Sequence, residues 1–332
     1  MFNLRRLHIK GIIALVCTLS LMTTTMQQPT FAEEWKDKSD LIFNSSSQVD
    51  QDLLIQFQIV RTGKSSQTKD VEFKRSDMGV VDVLYNAGAN KKIKVIIDQS
   101  GTKYTYTIGK DINYVKFPLQ LGNGKYSITI YENVSGNKYK KIFSKQDSVE
   151  VFTPNAVYLN SIQIVDWKIS DSVIAFMNQL VLDEKKAIYM RENNVTTITD
   201  EKYLEVQLTK KQITDIAYNY VVANISYDYA KISTLPPNYI PSIEATLRDQ
   251  KGICYDYSSL LASMLRSQGV PAKLIKGYSS TTDVYHAWNE IYLTDEKRWI
   301  IVDTTYDAYM HQAGAQYAME KKLINYSKNF EY

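Results

Sequence analysis

Cysteine and histidine are scarce in this chain of 332 residues, which holds two of the first and three of the second. One of each, Cys17 and His8, falls within the first 32 residues. Cys254, His286 and His311 are left for the rest. Without residues 1–32 no disulfide can form within one chain, and a zinc centre of the usual Cys/His kind cannot be assembled. Neither a metal nor a cofactor is expected. Excess charge is lacking as well. The 39 Lys+Arg stand against 36 Asp+Glu, and the three-residue surplus is Arg5, Arg6 and Lys10. The remainder is therefore neutral and carries no basic stripe, which gives no argument for a nucleic-acid partner. Internal repeats and low-complexity tracts are absent too.

The apolar run Gly11–Met22 covers 12 residues, short of the ~20 that cross a bilayer but suited to a signal sequence. The basic start precedes it, and the polar stretch TTTMQQPTFA follows, with Thr30 and Ala32 as small residues at −3 and −1 of a cleavage after Ala32. Residues 1–32 are therefore read as a secretory signal. Leu15 and Val16 are not the small residues that lipid attachment at Cys17 requires. The expected location is extracellular or cell-wall associated, with no membrane span after signal removal. No sorting motif or hydrophobic tail follows Asp307, so covalent wall anchoring is not expected.

An apolar content of 44% and a charged content of 23% match a globular chain, long enough for two domains. From about Asp40 to Phe152 the texture is β. Short segments rich in β-branched and aromatic residues (Val80–Tyr85, Lys92–Asp98, Tyr104–Ile108, Tyr126–Tyr131, Ser148–Phe152) alternate with turn clusters at Asn86–Asn90, Gln99–Gly101, Gly122–Gly124 and Ser135–Asn137. This predicts an antiparallel β-sandwich over 33–155, to which an Ig-like shape is open although no Cys pair supports it. Thr153–Asn160 reads as the junction to a second domain over 156–332. There Ser170–Leu182 places Val173, Phe176, Met177 and Leu180 on one helical face. Thr209 and Gln212 form a capping box ahead of Ile213, Ile216, Ala217, Tyr220 and Val221. Residues 183–208 stay unassigned.

The chemistry is concentrated between Lys251 and Asp307. Gly252-Ile253-Cys254-Tyr255-Asp256 opens a helix with Ile253, Tyr257, Leu260, Leu261, Met264 and Leu265 as apolar positions; Gly269 and Pro271 close it. Cys254 then sits in a first turn, whose outward N–H groups favour a thiolate and can donate to a developing oxyanion. Further on, Tyr285–Leu293 and Arg298–Asp303 alternate as strands around the loop Thr294–Lys297. This is a hairpin in which Leu293 faces Arg298. That register sets Asp303 opposite Trp288, diagonal to His286 and on its face. Diagonal neighbours lie roughly 7–8 Å apart at Cα, close enough for a carboxylate to meet an imidazole N–H. A thiolate facing such a pair is the nucleophile–base–orienter arrangement of a cysteine acyl-transfer enzyme.

These blocks, GICYDYSSLLASMLRSQGVPAKLIKGY, YHAWNEIYL and WIIVDTTYD, resemble the core of the transglutaminase-like superfamily over about Thr209–Asp307. The resemblance implies an α+β, papain/transglutaminase-like core with Cys254 as nucleophile, His286 as general base and acid, and Asp303 orienting the imidazole. The β-rich half would be an accessory domain. Where the family often has Pro-Thr after the Asp, this chain has Thr304-Thr305. The implied activity is amide-bond chemistry through a Cys thioester, resolved by water (protease or amidase) or by an amine (protein cross-linking). The expected partner is a peptide, protein or cell-wall peptide. The reading from another class is a surface-binding module with an idle enzyme-like domain. Tyr227 is more readily a packed tyrosine than an oxyanion donor. Trp288 and Trp299 are core or cleft wall, and Lys91-Lys92 and Lys140-Lys141 are solvated strand ends.

Overall fold

The computed structural model describes residues 71–76, 78–85, 91–108, 115–150, 155–168 and 171–332. The secretory signal over 1–32, the turn cluster Asn86–Asn90 and the junction residues Thr153 and Pro154 lie outside the described residues.

Two antiparallel sheets form the first part. One has the order β1-β2-β5, from β1 (Val71–Ser76), β2 (Val80–Tyr85) and β5 (Val115–Pro118). The other has the order β4-β3-β6-β7, from β3 (Ile93–Gln99), β4 (Thr102–Ile108), β6 (Gly124–Ser135) and β7 (Lys138–Val149). Period-two alternation builds them: Tyr104, Tyr106 and Ile108 are buried on β4 while Thr105 and Thr107 are half-buried. Phe117 meets Tyr106 with ring centroids 4.6 Å apart, and residues of both sheets share one buried cluster. The expected strand Ser148–Phe152 is corrected over its described residues, 148–150, while 151 and 152 lie outside them. Ser148 and Val149 end β7, which runs for 12 residues from the Gly136 turn against β6. Its sequence, KYKKIFSKQDSV, hides the strand signature because it lies at a sheet edge and buries only Tyr139 and Val149.

A short 3-10 turn, Ala156–Leu159, leads into helices α1 (Asp171–Glu192), α2 (Lys210–Asn224), α3 (Tyr229–Ile232), α4 (Ile243–Asp249), α5 (Cys254–Ser267) and α6 (Thr304–Gln312). Helix α1 runs ten residues beyond the expected Leu182. Past that point the only buried residue of the helix is Ile188, so no apolar stripe marks the extension. The capping box at α2 forms as read: Thr209 Oγ1 accepts from the Gln212 N–H, and Gln212 Oε1 accepts from the Thr209 N–H. Strands β8 (Ser226–Tyr227) and β9 (Lys251–Gly252) pair in parallel just ahead of α5. The remaining strands are β10 (Ala272–Ser279), β11 (Thr282–Leu293), β12 (Arg298–Val302), β13 (Glu320–Lys321) and β14 (Tyr326–Glu331). They make one antiparallel sheet in the order β13-β12-β11-β10-β14.

Helix α5 is buried on every side from Cys254 to Arg266, as befits a helix enclosed by other elements. Its polar residues are tied down. Ser259 Oγ donates to the Ile164 carbonyl at 2.6 Å, and Asn289 of β11 donates to the carbonyls of Ser258 and Lys273. Arg266 sends its guanidinium to three carbonyls: Ala272 at 2.8 Å, Asn160 at 2.7 Å and Tyr332 at 2.8 Å. One buried side chain thus joins the segment entering this half, the start of β10 and the residue following β14. Burial pulls its basicity down to about 9, the sign of a cation held for its hydrogen bonds. Arg266→Met keeps the volume but strands three acceptors, so a loss of about 3 kcal/mol is expected. A urea midpoint that stays at the parent value refutes this role.

Gly277 permits the close approach of β14 to β10. A Cβ there would lie 2.1 Å from the Ser327 carbonyl oxygen and 2.8 Å from Trp288 Cη2. Backbone cannot yield as a flexible side chain does, so Gly277→Ala is expected to cost about 2 kcal/mol and to loosen β14. Thermal unfolding measures the first effect, and amide exchange over 326–331 the second.

Candidate active site

Gly252, Ile253 and Asp256 set the start of α5. Asp256 is fully buried; its Oδ2 accepts from the Ile253 N–H at 2.9 Å and from Lys231 Nζ at 2.7 Å, while Tyr239 donates to Oδ1. Gly252 leaves room for this carboxylate, since a Cβ there would sit 2.6 Å from Asp256 Cβ. The result presents Cys254 as the first residue of the helix, with its side chain wholly buried.

The β11–β12 register runs as expected, from Leu293↔Arg298 to Asn289↔Val302. Asp303 leaves the ladder at that point to become the N-cap of α6, its Oδ1 accepting from the Tyr306 N–H at 3.1 Å. It still meets the imidazole: His286 Nε2 lies 2.9 Å from Asp303 Oδ2, with both side chains fully buried. Nδ1 of His286 is buried without a hydrogen-bond partner. Cys254 is close enough to raise the imidazole's basicity. Burial opposes a charge on His286, but the charge and hydrogen bond of Asp303, followed by Cys254, lift it to about 10. Burial likewise opposes the Asp303 anion, and the His286 charge with the donors around the carboxylate overcomes it, holding this acid below its ordinary value. The three residues singled out in the sequence therefore come together.

His311 stands apart, with its Nδ1 2.9 Å from the Tyr317 hydroxyl on an exposed stretch. Trp288 is buried with its ring 6.3 Å from that of His286 and nearly parallel to it, at 29°. The wall reading fits it. Trp299 is half-buried and packs on Tyr158 and Tyr292, with the Lys273 ammonium 4.4 Å from its ring. The Tyr227 hydroxyl is buried, and burial, then the charge of Cys254, pushes its ionisation well above the usual range. Thr304 and Thr305, the departure from Pro-Thr, are buried and their hydroxyls have no hydrogen-bond partner.

Two further groups at the site escaped the sequence reading. Lys276 of β10 is buried with its ammonium 3.8 Å from the Tyr255 ring. Burial lowers its basicity to about 7, and Cys254 pulls the other way. Its parity with Ala272 and Leu274, both buried, was the available signal. The second group is Tyr326, whose hydroxyl donates to Asp303 Oδ2 at 3.0 Å; no local motif points to it. Among the described residues no three His, Cys, Asp or Glu side chains are grouped to hold a metal ion. Nor is any described helix long and apolar enough to cross a membrane.

Chemically, a sulfur at a helix start, an imidazole held by a carboxylate, and first-turn N–H groups together can attack a carbonyl and protonate a departing amine. The model of the Transglutaminase-like superfamily matches residues 200–304, which span Cys254, His286 and Asp303. Uncharacterized protein YebA of Bacillus subtilis strain 168 is 26% identical over 123 residues; this covers 32% of the present chain and 16% of YebA's length. Among solved structures, the periplasmic domain of TgpA from Pseudomonas aeruginosa aligns at a TM-score of 0.32 and 12% identity, covering 68% of this chain and 91% of that one. Red sea bream transglutaminase aligns at 0.29 and 11% identity, covering 68% and 48%.

Proposed function

We propose that this protein is an exported, cysteine-dependent acyl-transfer enzyme that acts on peptide or protein amide bonds through a thioester on Cys254. The observation that carries the reading is the His286 Nε2 to Asp303 Oδ2 hydrogen bond of 2.9 Å, with Cys254, at the start of α5, close enough to raise the imidazole's basicity. His286 takes the thiol proton, and the sulfur adds to the carboxamide or peptide carbonyl. The oxyanion is held by N–H groups of the first helical turn. His286 then protonates the leaving amine as the C–N bond breaks, giving the acyl-enzyme. Water or a primary amine resolves the thioester, with His286 accepting the proton of the incoming nucleophile. Export is supported by the pattern of residues 1–32, and a cell-wall peptide or a surface protein fits that location as substrate.

The test is incubation with a glutamine-containing peptide and a labelled primary amine, scored by mass. Cleavage or deamidation marks a hydrolase, and incorporation of the amine marks a transferase. The absence of both, together with no acyl adduct on Cys254 from an activated ester, refutes the proposal.

A further inference from the structure

Asp303 carries more donors than a Cys–His–Asp arrangement needs. Oδ1 is occupied by the Tyr306 N–H, and Oδ2 receives both His286 Nε2 at 2.9 Å and the Tyr326 hydroxyl at 3.0 Å. Tyr326 opens β14, 23 residues beyond Asp303, and its Cα pairs with Ser279 of β10. Its ring is buried against Trp288 at 5.1 Å, inside a small apolar cluster with Ile275 and Ile301. Thr281, in the loop between β10 and β11, contacts the same hydroxyl. A chain of polar contacts therefore runs from that loop through Tyr326 and Asp303 to His286.

We infer that Tyr326 is a positioning residue of the site: its hydroxyl fixes the rotation of the Asp303 carboxylate and shares the charge that Oδ2 presents to His286. This rests on the function proposed above. The physical argument is geometric. A carboxylate with one oxygen on a backbone N–H can still tilt about that bond, and a second donor on the other oxygen removes the tilt. The same donor draws electron density from Oδ2, so the carboxylate stabilises the imidazolium less than a bare carboxylate would, and the ring gives up the proton on its other nitrogen, Nδ1, more readily to a leaving amine. Charged and titratable groups facing the Tyr326 hydroxyl are Asp303 and, farther off, Asp307, which is tied to Tyr218 and Lys321.

Tyr326→Phe removes one oxygen and keeps the ring on Trp288, so the fold is expected to survive. The proton on His286 Nε2, read as a downfield resonance by proton NMR, is expected to move further downfield because Oδ2 now serves one donor fewer. For peptide turnover kcat should fall roughly tenfold, the weight of one hydrogen bond to a charged group, while KM stays near the parent value. Site-specific 3-fluorotyrosine at 326, a more acidic donor, should move the resonance in the opposite direction; it serves as the readout where the Phe variant fails to fold. A resonance that stays put or moves upfield in Tyr326→Phe, or fails to move upfield with 3-fluorotyrosine, overturns the assignment. The NMR shift is a property of the resting protein. A shift without any acyl transfer in the parent therefore refutes the proposed function and leaves the positioning role standing.

Discussion

Cys254→Ala is expected to lose amide-bond chemistry by a factor of at least ~10³, together with acylation by an activated ester, while unfolding close to the parent temperature. Two features make the separation clean. The side chain is fully buried at the first position of α5, and replacing CH₂–SH by CH₃ there removes one heavy atom and no hydrogen bond that holds the helix. The start of α5 is held instead by Asp256, through the Ile253 N–H, Lys231 and Tyr239. Chemically, nothing substitutes for the sulfur. Outside the first 32 residues it is the only thiol in the chain, and the nearby hydroxyl of Tyr227 resists ionisation. Labelling by iodoacetamide, mapped by peptide mass, should vanish at residue 254 and remain at Cys17 where that segment is present. Parent-like turnover in this variant means that another group attacks the carbonyl.

The enclosure of the three residues bears on how such labelling is read. Cys254, His286 and Asp303 are each wholly inaccessible in the described conformation. Alkylation therefore reports opening as well as reactivity. Comparing a small neutral reagent with a bulky one of the same warhead separates the two, since only access depends on size.

The meeting of His286 with Asp303 near a helix-start Cys254 was legible in the sequence because each part rests on a local rule. Gly252 and Gly269 bracket a helix, a four-residue loop sets the hairpin register, and that register places Asp303 beside His286 whether or not the ladder continues to it. The structure alters only the agent that holds the carboxylate, which is the cap of α6 rather than the strand. The supports of the site were not legible, because they depend on long-range pairing. Tyr326 reaches Asp303 only once β14 lies against β10, Arg266 finds its acceptors only when Asn160 and Tyr332 converge, and Lys231 meets Asp256 from a four-residue helix. No period or motif encodes these meetings. The same reason hid β7, whose charged residues are those of an edge strand, and the second half of α1, which buries little.

Asp303→Asn should expose the electrostatics most sharply, with an expected loss of ~10²–10⁴ in turnover despite the change of a single atom. The direction follows from the cap. The Tyr306 N–H requires an acceptor at the Oδ1 position, so the asparagine turns its carbonyl there and its NH₂ toward His286 and Tyr326. An NH₂ donates to Nε2, which forces the imidazole proton onto Nδ1, facing Cys254. A nitrogen already protonated on that side cannot take the thiol proton. The helix cap survives, so α6 should stay intact and Asp303→Ala, which also loses the cap, should be the less stable variant by about 1 kcal/mol. The pH dependence of stability gives an independent check. In the parent His286 is raised from 6.5 to about 10, so its pairing stabilises the fold fully below about pH 6.5, and that contribution is lost as pH rises toward 10. In Asp303→Asn the two leading causes of the rise are gone and burial dominates, so the imidazole stays neutral through the same window and this alkaline decline disappears. Urea midpoints taken from about pH 6 to about pH 9 should fall in the parent relative to the variant. Parallel curves mean that His286 does not draw its charge from Asp303.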